Sequence, residues 1–189
     1  TIAATPVTGY VFSSWSGSGI ADANASSTTV TVTASQTITA NFAPSTHLLT
    51  LLSSPSDAGA PTGDGTYEYA SSATIIASPA TGYVFSSWSG SGISESNAST
   101  TTVSMTEDRN VTANFELASY DLSVAVDASG GGSVAGGGSF SHGQNASIAA
   151  TASTGYAFVG WSGSGITDAT ASSTTVEVNS TQTVTASFA

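Results

Sequence analysis

The run at 120–126, YDLSVAV, alternates apolar and polar residues, which places Tyr120, Leu122, Val124 and Val126 on one face of a β-strand. A glycine cluster at 130–132 follows, then Ser133, Val134 and Ala135, and a second glycine cluster at 136–138. This punctuation predicts a hairpin with a bulged or irregular tip. Further short strands are expected at 147–151, with Ile148 facing inward, at 175–178, and at 184–188, where Val184, Ala186 and Phe188 share a face. No ten-residue window carries a helical period built from good helix formers. Thr, Val and Ser dominate instead, and they favour extended backbone.

All of these elements recur. TGYVFSSWSGSGI stands at 8–20 and again, unchanged, at 81–93, and TGYAFVGWSGSGI stands at 154–166, so Trp15, Trp88 and Trp161 are one position repeated every 73 residues. Self-similarity at a fixed period makes the chain a tandem array. The period divides it into a partial module at 1–43, which lacks the first two strands, and complete modules at 44–116 and 117–189. In the second copy Pro61 replaces Val134, which restricts that strand to an edge or an irregular segment. The closing strand repeats as Ile38, Ala40 and Phe42, then as Val111, Ala113 and Phe115. Before each Tyr stands Thr-Gly, a turn with a glycine available for positive φ. The expected fold is all-β: small, mostly antiparallel modules in an elongated rod, held close by four-residue connections at 43–46 and 116–119. The first copy starts at the equivalent of Ser147. An excerpt from a longer repeat tract explains this; completion by strand addition from a neighbouring chain is the alternative.

Composition narrows the function. The sequence holds one cation, Arg109, against twelve acidic residues, for a formal net charge of −11. Such a surface repels phosphate backbones and anionic headgroups, so nucleic acid is not an expected partner. No apolar run approaches the length of a membrane span, and no membrane insertion is expected in this segment. With no cysteine, disulfides, thiolate metal sites and cysteine nucleophiles are excluded. Low charge, abundant Ser, Thr, Ala and Gly and tandem duplication favour a secreted or surface protein.

The core Gly-Tyr-x-Phe-x-x-Trp-x-Gly, followed about 25 residues later by a Thr-Val-Thr-Ala-x-Phe strand, resembles the divergent internalin-type B-repeat of bacterial surface proteins. The matching residues are Gly9, Tyr10, Phe12, Trp15 and Gly17 with 38–42, then 82–90 with 111–115, and 155–163 with 184–188. The resemblance implies extracellular stalk, spacer or adhesive segments, a small β-grasp-like or related β-rich fold, and no catalytic residues. A β-grasp would carry a helix across its sheet, and no segment here reads as one.

Each candidate for chemistry has a structural counter-reading. The three tryptophans suit a sugar platform, but their recurrence with Tyr and Phe marks a core set: Tyr10, Phe12, Trp15, Phe42, Tyr83, Phe85, Trp88, Phe115, Tyr156, Phe158, Trp161 and Phe188. Asp22, Glu95 and Asp168 are equivalent acids in the loop after Ser-Gly-Ile; each loop has one carboxylate where calcium wants six to eight oxygens, so a turn role is expected. With Asn24 and Asn97 they form a candidate binding loop. His47 and His142 each fall where another copy has Tyr, and no metal is expected. Asn24, Asn97, Asn110, Asn145 and Asn179 match the glycosylation pattern. No GxSxG or phosphate loop occurs, and no cofactor is implied. The expected function is a non-enzymatic, extracellular structural segment of a bacterial surface protein: stalk, spacer or filament. Its partners would be neighbouring modules or other copies of itself. The alternative is an adhesin that recognises a glycan or a host-surface protein through the loops after Trp-Ser-Gly.

Overall fold

The computed structural model describes residues 1–189, all in strands, turns and loops, with no helix. The first copy contributes β1 (Ile2–Ala3), β2 (Tyr10–Ser16), β3 (Ser27–Thr28) and β4 (Thr39–Pro44), in two antiparallel pairs, β1 with β3 and β2 with β4. The second contributes β5 (Thr46–Ser54), β6 (Gly59–Thr62), β7 (Gly65–Glu68), β8 (Ser71–Pro79), β9 (Tyr83–Gly90), β10 (Thr100–Met105) and β11 (Arg109–Leu117). In the third these recur as β12 (Ser119–Val126), β13 (Gly132–Ala135), β14 (Gly138–Ser141), β15 (Gln144–Ala152), β16 (Phe158–Ser162), β17 (Ser173–Val178) and β18 (Gln182–Phe188).

The chain divides into two compact units, Thr1–Ser78 with Ser86–Asn114, and Pro79–Phe85 with Phe115–Ala189. In the second unit, strands ordered β14-β12-β18-β16 form one sheet and β13-β15-β17 another. Leu122, Trp161, Val184, Ala186 and Phe188 from the first sheet meet Ala146, Ile148, Ala150, Val176 and Val178 from the second in one buried cluster. The core therefore lies between two sheets, each contributing the inward half of its alternating pattern. A second sheet covers the first where a β-grasp would place a helix. The first unit repeats the design with β7-β5-β11-β9 and β10-β8-β6, and buries Leu49, Ile75, Trp88, Val103, Met105 and Val111. Pro61 lies in β6, at the edge of its sheet, the place to which its missing N–H restricts a proline in a sheet.

Two expectations are corrected. The strand at 120–126 makes no hairpin with the one after it: β12 pairs with β14 and β18, while β13 pairs with β15 in the opposite sheet. The glycines between them carry the chain across the end of the core. Side chains at Gly131 and Gly132 would overlap the rings of Tyr156 and Phe188. The modules are mostly antiparallel, as expected, with one parallel pair in each complete copy, where the first and last strands meet, β5 with β11 and β12 with β18. Finally, the expected four-residue connections shrink to single residues, Ser45 and Ala118, because the flanking strands run on to meet them.

The expected core set also divides. Trp15, Trp88, Trp161, Phe115 and Phe188 are buried, and Phe12, Tyr83, Phe85 and Phe158 are half-buried. Tyr10, Tyr156 and Phe42 are exposed and lie outside the core. Gly132 lies against the ring of Phe188, which is 4% exposed, whereas Phe42 is 41% exposed. Val32 is 72% exposed, whereas Val178, its equivalent, is buried and pairs with Gln144 of β15.

Candidate functional site

Phe12 and Trp15 are three residues apart, a spacing that would put them on opposite faces of a regular strand. The register of β2 on β4 runs Phe12 to Phe42, then Ser14 to Asn41, leaving Ser13 as an extra residue. This bulge returns Trp15 to the face of Phe12, with ring centroids 5.4 Å apart. In β16 the same shift falls between Phe158 and Gly160, and Phe158 lies 5.7 Å from Trp161. The Phe-x-x-Trp motif is thus the sequence signature of a bulged strand.

Each indole also closes the loop that follows it. Nε1–H of Trp15, Trp88 and Trp161 donates to the carbonyls of Ala25, Ala98 and Ala171, at 3.0 Å in every copy. The main-chain N–H of the same tryptophans reaches the carbonyls of Ala23, Ser96 and Ala169 at 2.7–2.8 Å. With their indoles buried and their N–H groups committed, the tryptophans present no open ring face for a sugar to stack on.

Asp22, Asn24, Glu95, Asn97 and Asp168 are exposed on these loops. The backbone N–H groups of Asp22, Glu95 and Asp168 donate to Thr28, Thr101 and Thr174 hydroxyls at 3.0–3.1 Å. Asp22 Oδ1 accepts the N–H of Asn24 at 2.8 Å, and Asp168 Oδ1 accepts both the N–H and the hydroxyl of Thr170. The Thr170 hydroxyl, more than its N–H, holds the Asp168 carboxyl below the ordinary aspartate range. The Asp22 and Asp168 carboxylates therefore shape their own turns, and no three His, Asp or Glu side chains converge on a point. The five asparagines in acceptor patterns are all exposed.

A second repeated geometry joins one copy to the next. In the turn at 7–10, Tyr10 N–H donates to Val7 O at 3.1 Å and Gly9 takes φ +84°, as the third residue of a type II turn requires. Gly9 O accepts the N–H of Ser45 at 2.8 Å, and Ser45 O accepts the N–H of Tyr69 at 2.7 Å. The Tyr69 ring then lies flat over Gly9, so close that any Cβ there would overlap it. Within the second unit the arrangement recurs: Gly82 has φ +83°, its carbonyl accepts Ala118 N–H at 2.8 Å, Ala118 O accepts His142 N–H at 2.8 Å, and the His142 ring covers Gly82. Each covering ring has an aromatic neighbour, His47 beside Tyr69 and Tyr120 beside His142, both at 6.0 Å between centroids. Asp108 lies 3.4 Å from His47 Nδ1 and accepts the N–H of Leu48 at 2.9 Å.

The two histidines are therefore halves of one repeated His–Tyr pair, with the partners exchanged between copies. The sequence holds that signal, since positions 47 and 69 carry His and Tyr while 120 and 142 carry Tyr and His. Each copy keeps one of each, which single-residue reading does not reveal.

Arg109 has a structural station too. Its Nε–H donates to Ser104 O at 2.6 Å, and its terminal nitrogens reach Ser91 and Thr106 hydroxyls and Glu107, the carboxylate at 3.2 Å. Gln36 and Gln182 stand at the equivalent positions and donate to Thr31 O and Glu177 O at 3.3 and 3.2 Å. This position supplies a side-chain donor to the main-chain carbonyl five residues earlier.

No curated protein matches the sequence. Among solved structures the chain is similar to one described as the Bacillus anthracis TIE protein, at 9% identity and a TM-score of 0.34, over 85% of this chain and 37% of that one. It thus spans little more than a third of that protein, and a likeness at this level carries no argument. The model of the divergent InlB B-repeat domain matches residues 1–46, 49–119 and 122–189, each stretch holding one of the three Phe-x-x-Trp motifs, and the chain belongs to that family of bacterial surface-protein repeats.

Proposed function

We propose that this chain is a non-enzymatic, load-bearing spacer within an extracellular bacterial surface protein. The observation that carries this reading is the parallel pairing of the first and last strands of each complete copy. The chain enters the second copy at the start of β5 and leaves at the end of β11, with Leu49–Ser54 of one alongside Arg109–Asn114 of the other. Tension on the ends drags these strands past each other along their length, so the ladder bonds are loaded together and resist as a set. β12 and β18 repeat the geometry over Leu122–Val126 and Gln182–Ala186. The groups best suited to chemistry serve structure as well: Arg109 supports a strand end, Asp168 a turn, and His47 and His142 the joints between copies.

Single-molecule stretching tests the proposal. Pulled by its ends, the chain should lengthen by the same step for each complete copy, at most about 250 Å, the reach of 73 extended residues. Since the chain has no cysteine of its own, Ser119→Cys and Ser141→Cys can serve as handles that separate β12 from β14 pair by pair. That geometry should yield at clearly lower force. Equal forces in the two directions would refute the load-bearing role.

A second reading has one supporting observation, the identically bonded loops that present Asp22, Asn24, Glu95, Asn97 and Asp168 to solvent. Such repeated display suits an adhesin. Glycan-array binding lost on exchanging these loops would favour it over the spacer.

A further inference from the structure

The turn at 153–156 is built like its two predecessors. Tyr156 N–H donates to Ser153 O at 3.0 Å, and Gly155 has φ +89° beside +84° at Gly9 and +83° at Gly82. At Gly9 and Gly82 an added Cβ would collide with an aromatic ring; at Gly155 it would meet no atom within 4 Å. Exposure follows the same order, Gly82 being buried, Gly9 half-buried and Gly155 exposed. The backbone is thus preset in the shape that the other two turns use to receive a ring, and their carbonyls to receive an N–H.

We propose that the turn at 153–156 is a third seat, and that its occupant is the hairpin of a further repeat of this same type. That repeat would lay the ring at its Tyr69/His142 position flat over Gly155, and would give the N–H at its Ser45/Ala118 position to Gly155 O. Continuity with the two existing joints selects this occupant. The bond pattern at the seat is the same in both, and the only side chain it reads is planar, phenol in one case and imidazole in the other. A flat ring is what fits against a glycine with no Cβ, whereas a branched aliphatic residue at that position would stand off the turn and pull the paired carbonyl and N–H apart. The inference goes beyond load transmission within a copy, because it concerns how copies recognise one another.

The test extends the chain by repeating residues 117–189 once after Ala189, which keeps the 73-residue register. In the extended chain, the appended counterpart of Ala118 should exchange its amide hydrogen about tenfold or more slowly than an unbonded amide, which corresponds to about 1.4 kcal/mol of local opening. Gly155→Ala should abolish that protection. In the original chain the same substitution should lower the urea midpoint only by the strain of alanine at positive φ, and in the extended chain by more. His→Ala at the appended counterpart of His142 should also remove the protection without touching the turn, which separates a lost seat from a distorted one. An unprotected appended amide, or a Gly155→Ala effect equal in the two chains, would overturn the proposal. Gly82→Ala in the original chain reports on the existing joint by itself. A failed third seat would therefore leave the spacer reading to stand or fall on its own stretching experiment.

Discussion

Replacing Trp161 by alanine should unfold the third copy. The indole is 6% exposed and packs within a cluster drawn from both sheets. Burying an aromatic side chain removes about 150–250 Å² from water, which at about 25 cal/mol per Å² amounts to about 4–6 kcal/mol, and Trp→Ala in cores costs about 3–5 kcal/mol when the cavity does not collapse. The substitution also takes the only side-chain donor from Ala171 O, bonded at 3.0 Å, for about 1 kcal/mol more. A repeat of 73 residues commands about 4–11 kcal/mol in total, so the loss is comparable to the whole. Trp15→Ala should cost less, about 2–3 kcal/mol, because Phe42 and Val32 are already exposed and the first copy has less packing to lose. Urea unfolding followed by near-ultraviolet circular dichroism gives the midpoints. Two-dimensional NMR, in which the indole N–H groups give separate signals, shows which copy has melted. A Trp161→Ala chain with an unchanged midpoint would refute the core assignment. So would a third copy that keeps its dispersed amide signals while losing only affinity for a sugar.

Two further outcomes follow from comparing equivalent positions. Arg109→Gln should be tolerated within about 1 kcal/mol, because Gln36 and Gln182 already donate to the same carbonyl position; Arg109→Leu leaves Ser104 O without its side-chain donor and should cost about 1–3 kcal/mol, as read from urea midpoints. Arg109 is also the chain's one trypsin site and is buried in β11, so the native parent should remain uncut until that strand opens, and Arg109→Gln should remain uncut even in urea that leaves trypsin active. Ala70→Gly should stabilise the second copy by about 0.5–1 kcal/mol: Ala70 has φ 60°, a region that disfavours residues with a Cβ, and the third copy places Gly143 there at φ 75°. A drop in melting temperature would show that Ala70 is unstrained.

The period, the strand positions and the anchoring role of the tryptophans were legible because they depend on local alternation and on repetition. Leu122 and Val184 announce inward faces by their spacing alone. Which strands become neighbours was not legible: YDLSVAV could pair with any strand of matching period, and the choice of β14 and β18 over β13 is made by the core, where Gly131 and Gly132 must pass beneath Tyr156 and Phe188. The extra residue at Ser13 was visible only as an odd spacing of three between Phe12 and Trp15. Gly9 and Gly82 could be read as positive-φ turn residues; the rings of Tyr69 and His142 arrive from 60 residues further along, a contact no local window holds. Tyr10 and Tyr156 share a motif position with Tyr83 yet are more exposed, because burial at that position depends on neighbours the motif does not contain.

The joint between copies is one-sided, a glycine turn on one copy and a ring on the next. A heterologous contact of this kind does not close on itself, so it sets no fixed number of units. Because every complete repeat encodes both halves, unequal recombination within the gene can add or delete a repeat and leave each remaining joint chemically matched. The identity of residues 8–20 and 81–93 is the trace such copying leaves. For a spacer, reach becomes a heritable quantity adjusted in whole repeats, with no new interface to evolve at any step.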